Sequence, residues 1–261
     1  MLVDSHCHLN FPELMADLDG YLAKMKANQV DYAMCIATRP DNIDAVVALA
    51  DAHSQLFASV GVHPDEKIPE FNLSAEYLLA YTKHPKVVAI GETGLDYYWN
   101  KDQDLTWQRD RFNLHIEVAK KSKLPLVVHT RDASQDTWQL LKDGGIEECG
   151  AVIHCFTENL SWARQFLDLG CYISFSGIVT FKNASQIQDA ARYVPKDRLL
   201  VETDAPFLAP APFRGKLNHP ALVMHSAQFI ADLRMESLPE LAEYTSDNYF
   251  NLFSKAKRVV S

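Results

Sequence analysis

Long apolar runs are missing from this chain of 261 residues, and none approaches the roughly 20 residues needed to cross a bilayer, so a membrane-spanning role is not expected. The opening residues, Met1-Leu2-Val3-Asp4-Ser5-His6, lack the basic start and long apolar centre of a secretory signal. Cysteine is sparse. The five residues Cys7, Cys35, Cys149, Cys155 and Cys171 form no Cys-x-x-Cys pair, which fits a reduced compartment, and a cytoplasmic location is expected. No Gly-x-Gly-x-x-Gly follows the first predicted strand, so a dinucleotide-binding reading loses its main signal. Positive charge is in deficit as well. With 25 basic against 34 acidic side chains the formal charge is −9, which opposes a broad electrostatic grip on a phosphate backbone. Any nucleic-acid contact should be small, although divalent cations in a cleft would invert the local sign.

What is present is rhythm. Eight short apolar runs rich in β-branched residues recur: Leu2 to His8, Tyr32 to Thr38, Phe57 to His63, Val87 to Glu92, Leu126 to His129, Ala151 to His154, Tyr172 to Gly177 and Leu199 to Asp204. Their ends lie 23 to 37 positions apart, close to the span of a strand-helix-strand unit. Amphipathic helices fit between them at Ile43 to Ala52, Ala75 to Tyr81, Trp107 to Lys121, Ser161 to Leu169 and Ser185 to Tyr193. Ser74 and Ser161 sit where N-caps belong, Gly170 where a helix should stop, and Pro125 before a strand. A proline-rich loop from Ala205 to Pro220 precedes helical stretches near Ala221 to Leu233 and Pro239 to Phe253. The pattern predicts one α/β domain, a (β/α)₈ barrel with distorted closure and extra C-terminal helices; an open doubly wound sheet is the alternative.

Five of the ten histidines, His6, His8, His63, His129 and His154, fall at or near the carboxyl ends of predicted strands, which converge on one face of a parallel barrel. His6 and His8 are two apart on an extended segment and share a face, so they can hold one metal together, while His129, His154, Glu92 and Asp204 are offered by later strands. Glu92, between two glycine-containing turns, is the candidate for a carboxylate that bridges two ions. A lone buried histidine is more often hydrogen-bonded core than ligand; the joint placement of five carries the metal reading. His53, His84, His115, His219 and His225 fall in helices or outer loops, where solvation or capping is the expected role. Alternation turns Cys155 away from the face of His154 and predicts packing. Asp4, Asp96, Asp132 and Glu202 are candidates to accept the outer ring nitrogens of the histidines, with structural roles equally open.

The segments Asp4-Ser5-His6-Cys7-His8, Gly61-Val62-His63-Pro64, Gly91-Glu92-Thr93-Gly94-Leu95-Asp96, His129-Thr130-Arg131-Asp132-Ala133, His154-Cys155-Phe156-Thr157 and Glu202-Thr203-Asp204-Ala205-Pro206 resemble, in order, the signature blocks of TatD-type metal-dependent hydrolases. The resemblance implies a barrel of the amidohydrolase superfamily that hydrolyses ester bonds, typically removing nucleotides from DNA in the 3′-to-5′ direction. It places His6 and His8 on a first divalent ion, His129 and His154 on a second, Glu92 between them, and Asp204 as a ligand that takes a proton from the attacking water. It makes His63 the phosphate-facing histidine. Arg214-Gly215-Lys216 with Asn218 and Pro220 resembles the family's substrate loop, except that His219 stands where an acid or amide is common.

The expectation is therefore a two-metal phosphodiesterase acting on a 3′ end of DNA, with Asp204, Glu92 and His63 as catalytic groups. Substrate contacts are expected from His63, Arg131, Arg214, Lys216 and Asn218. Imidazole-rich ligands suit zinc or manganese, whereas the resemblance implies magnesium or manganese. The same ligands could attack a carboxyl ester or amide, including an aminoacyl ester on tRNA, and a non-catalytic metal-binding protein is the reading from another class.

Overall fold

Eight parallel strands alternate with helices in a computed structural model that describes residues 1–68, 71–99 and 104–258. The strands are β1 Leu2–Cys7, β2 Val30–Ile36, β3 Leu56–Val60, β4 Val87–Asp96, β5 Leu126–Arg131, β6 Ala151–Ile153, β7 Tyr172–Phe175 and β8 Leu199–Val201, paired in sequence order. Among the described residues the helices are α1 Pro12–Met15, α2 Leu18–Ala27, α3 Ile43–Ala52, α4 Ala75–Tyr81, α5 Thr106–Ser122, α6 Ser134–Gly144, α7 Leu160–Asp168, α8 Ser185–Tyr193, α9 Val223–Arg234 and α10 Leu238–Leu252. None is long and apolar enough to cross a membrane.

The predicted (β/α)₈ barrel is the observed fold, and its closure is distorted as expected. Between β8 and β1 the ladder shrinks to a bridge of Cys7 with Ala205. Three contacts reinforce it: the Asp204 N–H donates to the His6 carbonyl at 2.9 Å, the His8 N–H donates to the Ala205 carbonyl at 2.7 Å, and the buried Asp4 carboxylate accepts from the N–H and hydroxyl of Thr203. Asp4 therefore fastens β1 to the end of β8 and does not serve a histidine ring. The seam that closes the barrel is also what sets His6 and His8 beside Asp204.

The opposite end is stoppered by α10 and the residue after it: Tyr249, Leu252 and Phe253 pack with Val3, Tyr32, Phe57, Val88, Val127, Val152 and Leu200. Asn248 holds α10 in place by donating to the carbonyls of Lys196 and Leu199. Side chains thus fill the floor at this end, and the chemistry-bearing residues lie at the carboxyl ends of the strands.

Three local expectations change. Glu92 does not lie between turns: β4 runs on to Asp96, because Gly91 and Gly94, with φ of 140° and 132°, bend the strand while it keeps pairing with β5. The N-cap of α7 is Asn159, whose side chain accepts from Ser161 and Trp162, not Ser161 itself. Helices α2 and α6 fill the two connections for which the sequence named no helix range. Ser74 does cap α4, accepting from the Tyr77 N–H, and Gly170 follows α7 with φ of 80°.

Candidate metal centre

At the open mouth the carboxylate of Glu92 stands in the middle of five imidazoles. Its Oε2 lies 3.4 Å from His6 Nε2 and 3.9 Å from His8 Nε2. Its Oε1 lies 2.8 Å from His154 Nε2, 3.2 Å from His129 Nδ1 and 3.5 Å from His63 Nε2. The two oxygens of one side chain thus face two different sets of nitrogens. Asp204 joins the first set, with Oδ1 at 3.5 Å from His6 Nε2 and 3.4 Å from His8 Nε2, and those two nitrogens are 3.3 Å apart. A tetrahedral ion about 2.1 Å from its ligands spaces them about 3.4 Å apart. Four of these five separations lie within a tenth of an ångström of that spacing, so His6 and His8, with either Asp204 or Glu92, place three donor atoms where one metal ion fits.

Ring orientation supports the same conclusion. His8 donates its Nδ1–H to the Ile36 carbonyl at 3.2 Å, His129 its Nε2–H to Asp96 at 3.0 Å, and His154 its Nδ1–H to Glu202 at 3.2 Å. Once each outer nitrogen carries the proton, each inner nitrogen turns a lone pair toward the carboxylate oxygens of Glu92 or Asp204. Lone pair facing lone pair is unfavourable unless a proton or a metal ion stands between. Burial opposes a charged ring at all three, yet acidic neighbours outweigh it and raise their pKa: Asp204 and Glu92 for His8, Asp96 and Glu92 for His129, Glu92 and Glu202 for His154. Burial likewise opposes ionisation of Glu92, but His154, His63 and His6 hold it well below the usual carboxylate range. Protons parked on such rings are what a binding cation displaces.

Asp96 and Glu202, left open between supporting and structural roles, are the acceptors for His129 and His154; Glu202 also accepts from the Cys155 N–H at 2.7 Å. Among the described residues His6 has no such acceptor, and its buried Nδ1 is without a partner there while its ring stacks on His154 at 3.9 Å.

His63 behaves differently from the others. Its Nδ1 accepts the Asp65 N–H at 3.2 Å, so the neutral ring carries its proton on Nε2, facing Glu92. Burial pushes its pKa down to about 4, and at neutral pH it is an uncharged hydrogen-bond donor. The loop that carries it is anchored from α5. Arg111 donates to the carbonyls of His63 and Glu66, and His115 accepts the Val62 N–H at 3.1 Å while its Nδ1–H donates to the Arg111 carbonyl at 2.8 Å. The solvated or capping role expected of His115 is thus wrong, because its ring is fully buried against the backbone at Val62. An Arg and a His four apart on one helix face were the available signal.

The cluster floors a cavity of about 550 Å³ lined by His8, His63, Glu92, His129, His154 and Asp204, among others. Arg131 lines it too, with its guanidinium 3.8 Å from the Tyr98 ring. Cys155 also reaches the lining, contrary to the packing role expected, because its φ of 43° breaks the strand alternation; its Sγ lies 3.2 Å from Ser176 Oγ. Phe11, Thr38, Glu66 and Phe207 are lining residues the sequence did not single out.

The substrate loop fares worst. Asn218 is fully buried and its amide donates to the carbonyls of Thr203 and Phe207, so it is committed to holding the loop and has nothing left for a substrate. Arg214 and Lys216 are exposed outside the cavity lining, the former 4.0 Å from the Phe181 ring and the latter 5.8 Å from the Phe213 ring. The structure thus brings none of the three to the cavity lining.

A parallel barrel with an imidazole and carboxylate cluster at its C-terminal mouth defines a metal-dependent hydrolase. The chain belongs to the TatD related DNase family, whose model matches residues 3–254. It is similar to the uncharacterized metal-dependent hydrolase YcfH of Escherichia coli K12, 45% identical over 255 residues that cover 97% of this chain and 95% of that one. YabD of Bacillus subtilis, a protein of the same description, is 38% identical over 254 residues, 97% and 99% of the two chains. Among solved structures, the TatD homologue YJJV of Escherichia coli superposes with a TM-score of 0.91 at 30% identity, covering 97% of this chain and 98% of that one.

Proposed function

We propose that the chain holds two divalent ions and hydrolyses phosphodiesters at the 3′ end of DNA. The observation that carries the two-ion reading is the divided Glu92 carboxylate, one oxygen serving His6 and His8 and the other His129 and His154. Asp204 completes the first set. The donor atoms suit zinc or manganese better than magnesium, which prefers an all-oxygen shell. Divalent ions bound there would acidify water and offset charge on the attacked group.

The protein's own groups supply the rest. Asp204, whose pKa is lowered because His8 and His6 outweigh the effect of burial, is ionised and able to accept a proton from water in the cavity. His63, neutral with its proton on Nε2, can donate a hydrogen bond to a phosphoryl oxygen without adding a charge. Arg131 provides a cation at the cavity wall for the phosphate. A donor and a cation on one side of a deep cluster favour a tetrahedral anion over a flat carboxyl ester, and the family description names a DNase. Five unpaired cysteines accord with a reduced, cytoplasmic setting.

Asp204→Asn separates binding from chemistry. Turnover of a 3′-ended single-stranded oligonucleotide should fall about 10²- to 10⁴-fold while its Kd stays within a few-fold. Metal analysis of wild-type protein should return two ions per chain. A panel adding a simple phosphodiester and a carboxyl ester checks the substrate class. Hydrolysis of the carboxyl ester alone, or unchanged turnover in Asp204→Asn, defeats the proposal.

A further inference from the structure

One side of the cavity is not polar. Phe207 is 51% exposed, an unusual state for a phenylalanine, and it stands on an immobilised backbone. Its N–H donates to the Asp204 carbonyl at 3.0 Å, its carbonyl accepts from the buried Asn218 amide, and the Asn218 N–H donates to the neighbouring Pro206 carbonyl at 3.1 Å. The Phe11 ring meets it at 5.7 Å and 84°, an edge-to-face contact, so at least one face of Phe207 is left uncovered by Phe11. Both rings reach the metal cluster itself: the His8 centroid is 5.5 Å from that of Phe11 and 6.5 Å from that of Phe207. Ile178 and Leu208 also line the cavity. His63 and Arg131, the phosphate-facing groups of the previous reading, share this cavity with the two rings.

The geometry points to a base-stacking subsite: Phe207, with Phe11 behind it, receives the nucleobase of the terminal nucleotide whose phosphate lies over Glu92. This rests on the nuclease reading above and names the part of the substrate that reading leaves without a partner. Two facts select this occupant. The cavity, about 550 Å³, is of the size that encloses a drug-sized ligand, room for a nucleotide unit and not for a duplex end. The chain, at −9, cannot draw its affinity from many phosphate contacts. Stacking of a base on an aromatic side chain contributes roughly 1–3 kcal/mol, independent of charge and of base identity. A base can lie flat on Phe207 only after it has left its neighbours, so the subsite favours a frayed or single-stranded end.

The test compares two single-stranded oligonucleotides, one ending in an ordinary 3′ nucleotide and one in a 3′ abasic unit. Wild-type protein should prefer the ordinary end by about 5- to 150-fold in kcat/KM. Phe207→Ala should abolish that preference, and Phe207→Trp should keep it. An oligonucleotide with 2-aminopurine at its 3′ end, added to protein without turnover in the presence of calcium, supplies a second readout: its fluorescence is quenched by stacking in the wild type and not in Phe207→Ala. A preference that survives Phe207→Ala overturns the subsite. If neither oligonucleotide is cleaved, the nuclease reading fails, and the fluorescence decides the subsite alone: quenching that depends on Phe207 supports it, and absence of quenching overturns it.

Discussion

His115 shows how a residue remote from the cluster can brace the loop that leads to it. Its Nε2 accepts the Val62 N–H, which requires an unprotonated nitrogen, and burial pushes its pKa from 6.5 down to about 4. The unfolded chain takes up a proton as pH falls below 6.5, whereas the folded ring resists until about pH 4. The contribution of the neutral ring is therefore complete above pH 6.5 and is lost across the window from 6.5 to about 4, up to roughly 3 kcal/mol. Urea unfolding of wild type and His115→Gln should show a gap that is widest at pH 7 and narrows toward pH 4. A gap independent of pH would refute the assignment. At this scale the sequence was informative where chemistry resides in residue type: His6, His8, Glu92, His129, His154 and Asp204 do converge. It failed where burial decides. Asn218 reads as a polar loop residue until its amide is seen feeding two backbone carbonyls, and His115 reads as solvated until its ring is found buried against Val62.

The strand β4 shows what an element contributes. Glu92 can stand at the centre of the mouth because Gly91 and Gly94 let the strand swing against β5 on either side of it. A Cβ on Gly94 would lie 2.0 Å from the His129 carbonyl oxygen, and its φ of 132° is open only to glycine. Gly94→Ala should therefore cost about 3 kcal/mol or more in urea unfolding. Gly170→Ala, with φ of 80° but nothing within 4 Å of a new Cβ, should cost only about 1–2 kcal/mol. Equal losses in the two variants would mean that the close approach of β4 to β5 is not what these glycines serve. The same region was legible only in part, since Gly-Glu-Thr-Gly looks like a pair of turns unless the pairing partner is known. The eight strands were readable because each is an apolar run. Helix α2 was not, because it buries only Met25 and so shows little apolar periodicity.

On the scale of the whole molecule, charge and cavity together limit how DNA can be held. A nuclease that tracks a strand along a basic groove neutralises many phosphates and loses affinity steeply with salt. This chain carries a formal charge of −9, and the cation lining its cavity is Arg131, already seated over the Tyr98 ring. Arg214 and Lys216, which would have extended the positive surface, lie outside the cavity lining. With one or two phosphates engaged, log kcat/KM for a single strand should fall with log salt at a slope of about −0.7 to −1.4. Between 50 and 200 mM salt that amounts to a loss of about three- to sevenfold, at saturating metal. Six or more phosphate contacts would instead give a slope steeper than about −4. Initial rates at subsaturating oligonucleotide across that salt range would decide between the two. A steep slope would place the main grip on the outer surface and demote the cavity to a site of chemistry alone. A shallow slope, unchanged when the oligonucleotide is lengthened, would mean that recognition ends within the mouth of the barrel, at the terminal nucleotide.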